Sequence, residues 1–239
     1  MPFRGIDNSL LYDDLLLSLP FEEGSGTIRT QDVAKPHHLV TQIHAPVWTT
    51  LASGLQVLDF DGANDYMECQ AADCADLDFT AGDFSIACWC YWEGATGGVA
   101  DILMGRYELS VSGWELYFDE SDPLITLNLR VHHAGDPAGD RTSGYSLGWT
   151  KDNWWLAGIS RSGAYPSMYR NGLGVDMAYS AGGIANPATC AEDLVIGVRY
   201  TKNINFYDGK MWNPRIWDRK LESWEHMEIF NRERALFGV

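Results

Sequence analysis

The chain has no run of about 18 apolar residues, which excludes a membrane-spanning helix, so no membrane insertion is expected. It has no Asn-x-Ser/Thr site and therefore no N-glycosylation signal. Cys-x-x-Cys is missing too, and the pairs Cys69/Cys74 and Cys88/Cys90 have no partner pair at zinc spacing. Five cysteines is an odd number, which favours free buried thiols, with a Cys69–Cys74 bridge as the alternative. Basic residues are scarce, 17 against 33 acidic, for a formal net charge of −16. Such a surface repels phosphate backbones, so nucleic acid is excluded as a partner. Solubility is the plain meaning of this acidity, with calcium binding a second contributor. The first residues have no apolar h-region or small-residue cleavage site, and Leu15-Leu-Leu-Ser-Leu19 is too short and follows Asp13-Asp14. No Sec signal peptide is expected, and the cytoplasm of the producing cell is the expected place of synthesis.

What is present is apolar and aromatic: 46% hydrophobic residues with 13% aromatics rule out general disorder and permit one large core. In Asp83-Phe-Ser-Ile-Ala-Cys-Trp-Cys-Tyr-Trp92, the side chains of Phe84, Ile86, Cys88, Cys90 and Trp92 share one strand face by period-two alternation. Residues 55–60 alternate likewise, and after a Gly62 turn residues 66–69 are expected to pair back. Further strands are expected at 15–21, 39–40, 46–48, 102–104, 114–118, 125–131, 154–160, 167–170, 194–198 and 206–217. A Gly/Asp-rich loop is expected over 135–144, and Asn171-Gly172 predicts a type I′ turn. The tail changes period: Leu221, Trp224, Met227 and Ile229 or Phe230 predict a helix over 222–236, with Ser223 as N-cap and Gly238 just past its end. The organisation expected is an N-terminal arm (1–14), one domain (15–220), and a C-terminal helix and tail (221–239) packing on that domain or on a partner.

Nine pieces in order carry a family resemblance: Phe21-Glu-Glu-Gly-Ser-Gly-Thr27, Gln31-Asp32, Leu58-Asp-Phe-Asp-Gly62, Asn64-Asp-Tyr66, Asp83-Phe-Ser-Ile-Ala-Cys-Trp89, Gly158-Ile-Ser-Arg-Ser-Gly163, Tyr169-Arg-Asn-Gly172, Leu194-Val-Ile-Gly197 and Phe206-Tyr-Asp-Gly209. Together they resemble the laminin G-like, concanavalin A-like lectin/glucanase superfamily over residues 15–220. The resemblance implies an all-β fold, a jelly-roll sandwich of two antiparallel sheets, here with a short C-terminal helix. The ending around Asn213-Pro-Arg-Ile-Trp217 and Ile229-Phe-Asn-Arg is similar to versions in bacteriophage and environmental viral structural proteins. Functions in the superfamily run from carbohydrate binding to glucan hydrolysis to structural roles, so the site must decide.

Glucanases of the superfamily carry Glu-x-Asp-x-Glu on a strand, which aims an acid pair into the cleft. Here Glu120-Ser-Asp122 has no second Glu, and Glu115 and Asp119 stand four apart, so no catalytic residue is assigned. Gly144-Tyr-Ser-Leu-Gly148 fits a nucleophile elbow in letters, yet it lies among strands where the elbow needs a strand-to-helix turn. His37-His38 and His132-His133 are adjacent on strands and point to opposite faces; Asp136 and Asp140 read as polar loop. A structural calcium is implied by the resemblance, with Glu23 and Asp32 at matching early-loop positions. The late carboxylate of the pattern is absent from Lys210-Met-Trp-Asn213, which counts against it. Carbohydrate binding needs an aromatic platform beside polar groups, and Trp114, Tyr145 and Trp149, near Gly-rich loops, are the exposed candidates. Trp89, Trp154 or Trp155, and Trp217 read as core.

The reading is a non-catalytic structural or binding module, a virion-associated decoration or adhesion protein. Its partners would be a capsid or other virion protein and a host surface glycan, with copies forming a homo-oligomer or repeated on the virion surface. The alternatives are a carbohydrate-binding lectin with a rim Ca2+, and a glucan hydrolase with non-standard carboxylates.

Overall fold

The structure, a computed structural model, describes residues 9–26, 28–95, 100–121, 124–133, 142–179 and 184–239. A short helix α1 (Ser9–Tyr12) leads into strands β1 (Leu15–Ser18), β2 (Arg29–Gln31), β3 (Leu39–Ile43), β4 (Val47–Thr50), β5 (Gln56–Asp61), β6 (Tyr66–Cys69), β7 (Phe84–Trp92), β8 (Ala100–Glu108) and β9 (Ser112–Ser121). There follow β10 (Leu124–Val131), β11 (Thr142–Leu147), β12 (Trp154–Arg161), β13 (Ser167–Arg170), β14 (Leu173–Val175), β15 (Ala178–Tyr179), β16 (Leu194–Ile196), β17 (Asp208–Trp217) and the helix α2 (Ser223–Phe237). One sheet runs β14-β13-β12-β7-β17-β5-β4, with β1 also paired to β17; the other runs β15-β11-β10-β9-β8-β16-β6-β3-β2. All of these pairings are antiparallel. The all-β jelly-roll sandwich expected from sequence is what forms.

β7 explains how the layers stack. Its Phe84, Ile86, Cys88, Cys90 and Trp92 are buried towards the second sheet, where Trp92 stacks on Phe118 at 5.0 Å and Phe84 lies 5.8 Å from Trp114. Of the alternate residues Ser85, Ala87 and Trp89 are buried as well and Tyr91 is half-buried; under α2, Trp89 stacks on Phe237 at 4.0 Å and on Phe230 at 5.9 Å. A strand covered on both faces loses its alternation, as this nearly all-apolar run shows. All five cysteines are free and buried, the Cys69 and Cys74 thiols included.

Two local expectations are corrected. β6 does not pair back on β5: β5 lies between β17 and β4, while β6 lies in the opposite sheet between β16 and β3. The Gly62 corner therefore carries the chain from one layer to the other. Asp61 makes it, its Oδ1 accepting hydrogen bonds from the backbone N–H of Ala63 and Asn64 at 2.9 and 3.0 Å, with Gly62 at φ 66°. The helix N-cap is Glu222, not Ser223: Glu222 and Glu225 form a reciprocal capping box. At the other end Gly238 takes the left-handed conformation, φ 72°. The Asn171-Gly172 turn has the two positive φ values, 52° and 77°, that type I′ requires. The Gly/Asp-rich loop, including Asp136 and Asp140, lies outside the described residues up to 141, and 142–147 belong to β11.

The inward face of α2 also differs from the apolar spacing. Trp224 is exposed, whereas Glu225, His226, Ile229 and Phe237 are buried. The reason is that the helix is held by polar groups. Glu225 pairs with Arg219 at 2.7 Å, and His226 Nε2 lies 2.8 Å from Ser160 Oγ, itself 2.9 Å from Ser85 Oγ. The imidazole stacks on Tyr169 at 3.9 Å and fills the space over Gly158, where a methyl would come within 2.7 Å of Nδ1. Burial, and secondarily the Arg215 charge, push the His226 pKa down to about 3. The unfolded chain therefore takes up this proton first as pH falls. The stabilisation is complete above about pH 6.5 and is lost from there down towards pH 3. Urea midpoints of the wild type and His226→Gln from pH 7 to 4.5 check this: the wild-type decline is expected to be steeper, by on the order of 2–3 kcal/mol at pH 4.5. Parallel declines would refute it.

Candidate binding site

The expected aromatic platform does not form. Trp114 is fully buried, its Nε1–H donating to the Leu77 carbonyl at 3.0 Å. Trp149 is buried against Phe118 and Trp155 and donates to Ser146 Oγ at 3.0 Å. Only Tyr145, half-buried on β11, keeps partial exposure. The two indoles point inward because the strands that carry them supply the core, so neither offers a ring face to a ligand.

The carboxylates weighed for hydrolysis are separated. Glu115 and Glu120 stand five apart on β9, so alternation sends them to opposite faces. Glu115 is buried and accepts from Arg130 at 2.7 Å, with Arg199 at 3.4 Å; Glu120 pairs with Lys151. The Arg130 guanidinium also lies 4.3 Å from the Tyr117 ring centroid. A carboxylate held between two guanidiniums has a structural partner, not a second acid. Asp122 lies outside the described residues.

Glu23 and Asp32 do line one shallow hollow, together with His37 and His38. Asp32, however, is consumed by the chain itself. Its Oδ1 accepts from the N–H of Ser18 and Ala34 at 2.8 and 2.9 Å, and its Oδ2 from the N–H of His38 at 2.9 Å. The same oxygen meets His38 Nδ1 at 2.9 Å, and His38 Nε2 meets Asp76 at 2.8 Å. Glu23 accepts from Gln31 N–H and Thr30 Oγ1. Asp32 is thus a carboxylate that gathers loop N–H groups. Among the described residues no group of three or more His, Cys, Asp and Glu is placed to hold a metal ion.

A more enclosed hollow, about 260 Å³, opens on the outer side of the first sheet between the N-terminal segment, β17 and α2. Its floor is the outward row Trp212, Arg215 and Trp217 of β17. A bulge at Asn213-Pro214 keeps these on one side, with Asn213 at φ 48° and a register shift between Trp212 and Arg215. Ser18 Oγ donates to Asn213 Oδ1 at 2.9 Å, and Trp217 Nε1–H donates to the Leu11 carbonyl at 2.8 Å. Tyr12 and Val33, both exposed, line the mouth with Glu22; Ile229, Arg232 and Glu233 form the helix wall.

Glu233 organises this floor. It takes both terminal nitrogens of Arg215, at 2.7 and 2.9 Å, and the Trp89 Nε1–H at 2.7 Å. Within the floor, Trp212 Nε1–H and Arg215 Nε–H are closed to solvent and have no hydrogen-bond partner among the described residues, as is also true of the Nε–H groups of Arg130, Arg161 and Arg199 elsewhere. An unpaired buried donor is destabilising by about 1–3 kcal/mol, and native structures keep few of them. Trp212 and Trp217 are themselves buried, so what the hollow offers a ligand is its mouth, where the exposed Tyr12 ring and Val33 stand beside Glu22 and Arg232. The sequence hid this site because its parts come from near residues 12, 22, 215 and 232; the one local signal was Asn213-Pro214 inside an apolar strand.

Sandwich and hollow together define a lectin-like jelly-roll module. The chain belongs to the Laminin_G_3 family, the concanavalin A-like lectin/glucanases superfamily, which matches residues 61–225. No curated protein matches the sequence. Among solved structures, the fold is similar to the binding domain of Paraclostridial Mosquitocidal Protein 1, with TM-score 0.69 and 16% identity over 93% of this chain and 53% of that one. It is also similar to the botulinum neurotoxin serotype G binding domain, with TM-score 0.69 and 13% identity over 92% and 51%. A third is the botulinum neurotoxin serotype D ligand binding domain, solved in complex with N-acetylneuraminic acid, with TM-score 0.67 and 11% identity over 94% and 52%. The chain spans about half the length of each, so a ligand named for the whole domain is not thereby a ligand of the matched half.

Proposed function

We propose that this chain is a non-catalytic glycan-recognition module presented on the outside of a larger assembly. One observation carries the reading: the hollow between the N-terminal segment, β17 and α2 sets the exposed Tyr12 ring beside the polar groups of Glu22 and Arg232. Sugar rings pack their C–H faces on aromatic side chains and offer hydroxyl groups to such polar side chains. Family membership and the likeness to domains named for binding agree with it. Glu115 and Glu120, on opposite faces and each paired with a cation, speak against hydrolysis.

A hollow of this size suits about one sugar residue, below the ~300–1,000 Å³ of pockets for larger ligands. Affinity per copy is then weak, and useful avidity comes from repetition. A virion surface carrying many copies, bound to a capsid protein on one side and host glycans on the other, is the setting we propose. Its support is the sequence resemblance of the ending to phage structural proteins. A glycan array probed with multivalently displayed chain tests the function, with hits expected that Tyr12→Ala weakens about 5–10-fold, the worth of one aromatic contact. A chelator should leave these hits intact, since the hollow presents no calcium cage; loss of binding on chelation would favour the rim-calcium lectin. Reducing-sugar release from β-glucans, abolished by Glu115→Gln, would overturn the non-catalytic reading.

A further inference from the structure

We infer that Cys69 and Cys74 are a reversible redox pair, two thiols that the fold sets against each other so that a small-molecule disulfide converts them to a Cys69–Cys74 bridge. Cys69 ends β6 and is held in the ladder opposite Leu194 of β16. From there the chain doubles back through two short 3-10 turns, Ala71–Asp73 and Ala75–Leu77. The Asp73 N–H donates to the Gln70 carbonyl at 2.8 Å, and the Leu77 N–H to the Cys74 carbonyl at 3.1 Å. Arg106, buried on β8, fastens the turn: its Nη1 donates to the Cys74 carbonyl at 2.8 Å and its Nε to the Glu192 carbonyl at 3.0 Å. The Cys74 thiol thereby donates to the Cys69 carbonyl, 3.6 Å away, and the Cys69 thiol is hydrogen-bonded to the Cys74 sulfur. Cys88 and Cys90 are not such a pair. Two apart on one extended strand, their Cβ atoms stand about 6.5–7 Å from each other, where a bridge needs about 3.5–4.5 Å.

The two thiols differ in a way that assigns their roles. The hydrogen bond from Cys69, with the Leu194 N–H and the Arg106 and His38 charges, outweighs burial and holds Cys74 below the ordinary thiol range. The same bond, with burial, pushes the Cys69 thiol up. Cys74 is therefore the attacking thiolate and Cys69 the resolving thiol. Having released its proton, Cys74 attacks one sulfur of a low-molecular-weight disulfide such as glutathione disulfide, and the thiolate expelled takes up that proton. Cys69 then attacks Cys74 Sγ, its own proton leaving with the second small thiol. Two protein thiols are oxidised to one disulfide, and the reagent is reduced to two thiols. Both cysteines are closed to solvent, but the cover is one residue deep: Ala72, Asp73, Ala75 and Asp76 of the same turn are exposed, so local opening of this turn admits the reagent. The bridge pins the turn that brings Asp76 to His38 Nε2 at 2.8 Å and the Ala71 N–H to Asp193 at 2.8 Å. By linkage, the fold favours the bridge by the factor with which the bridge favours the fold.

The experiment equilibrates the full chain in glutathione buffers of graded redox ratio, folded and in urea, and locates protected thiols by differential alkylation and mass spectrometry. A Cys69–Cys74 bridge is expected, lighter by two hydrogens and reversed by dithiothreitol, with an equilibrium constant about tenfold or more larger in the folded chain than in urea. Oxidation should raise the wild-type urea midpoint and slow amide exchange at Asp73 and Leu77 severalfold, and should do neither in Cys74→Ser. Cys190→Ser should behave as the wild type. Should Cys74→Ser fail to fold, the wild-type comparison of folded chain with urea decides alone. A constant no larger in the folded chain, protection shared among the other cysteines, or glutathione left on Cys74 without resolution by Cys69 would overturn the inference.

Discussion

Gly209→Ala is expected to be among the most destabilising single changes in this chain. Gly209 sits on β17, the strand between β5 and β7, directly opposite Trp92. Its φ is 129°, a conformation that side chains rarely adopt, and a methyl there would overlap the carbonyl oxygen of Tyr91. That oxygen is backbone in the middle of a ladder, so the added carbon has no flexible neighbour to displace. The conformational strain alone is about 1–3 kcal/mol, and forcing the two strands apart adds to it. A loss beyond about 4 kcal/mol is expected, against a total stability of about 5–15 kcal/mol for a domain. Gly163→Ala is the control: its φ is 69°, but no atom lies within 4 Å of the new methyl. It should lower stability by only about 1–2 kcal/mol. Urea unfolding followed by tryptophan fluorescence measures both, and a Gly209→Ala midpoint within about 1 kcal/mol of the control would contradict the argument.

The same glycine shows why motifs made this fold legible. Phe206-Tyr-Asp-Gly209 is legible because its last position must pass within contact of a neighbouring strand's backbone, a demand that only glycine meets. Asn171-Gly172 is legible for a comparable local reason, two consecutive left-handed residues. Strands β6 and β7 were also readable, since composition and alternation fix them over a few residues. Pairing was not. Residues 55–69 look like a hairpin locally, and nothing local says that the Asp61 turn sends β6 across to the other layer. The face of α2 was lost for a different reason: hydrophobic spacing ranks Trp224 above Glu225 and His226, whose partners are Ser160 on β12 and Arg219 in the turn after β17.

The binding site was the least legible part. Closeness to glycines nominated Trp114 and Trp149 as exposed, but in a two-layer fold the largest rings near turns still close the ends of the core. The hollow over Trp212 and Arg215 depends on residues about two hundred positions apart and on Glu233 using up one side of a guanidinium. Periodicity does not report such convergence, which exists only once the N-terminal segment, β17 and α2 have come together.

Asp32→Ala is the second change with a large expected effect, and it also separates two roles for one carboxylate. In the structure Asp32 is buried and accepts the N–H groups of Ser18, Ala34 and His38, tying β1 to the loop that precedes β3. Alanine leaves three buried donors without an acceptor, each destabilising by about 1–3 kcal/mol, so a loss of about 3–6 kcal/mol is expected. Asp32→Asn keeps one acceptor and should lose less. A second signature is pH dependence. Burial pulls the His38 pKa down, but hydrogen bonds to the Asp32 and Asp76 carboxylates, and their charges, outweigh it and carry the value up to about 9. The folded protein therefore holds this proton more tightly than the unfolded chain. The resulting stabilisation is complete below about pH 6.5 and fades as pH rises through 9. Wild-type urea midpoints should fall over that window, and in Asp32→Ala, where His38 keeps only Asp76, the fall should be smaller. If Asp32 served chiefly as a calcium ligand, chelator would lower the wild-type midpoint to that of Asp32→Ala and calcium would restore it. If it serves as the buried acceptor seen here, chelator leaves the wild type unchanged and the variant stays weak in either buffer.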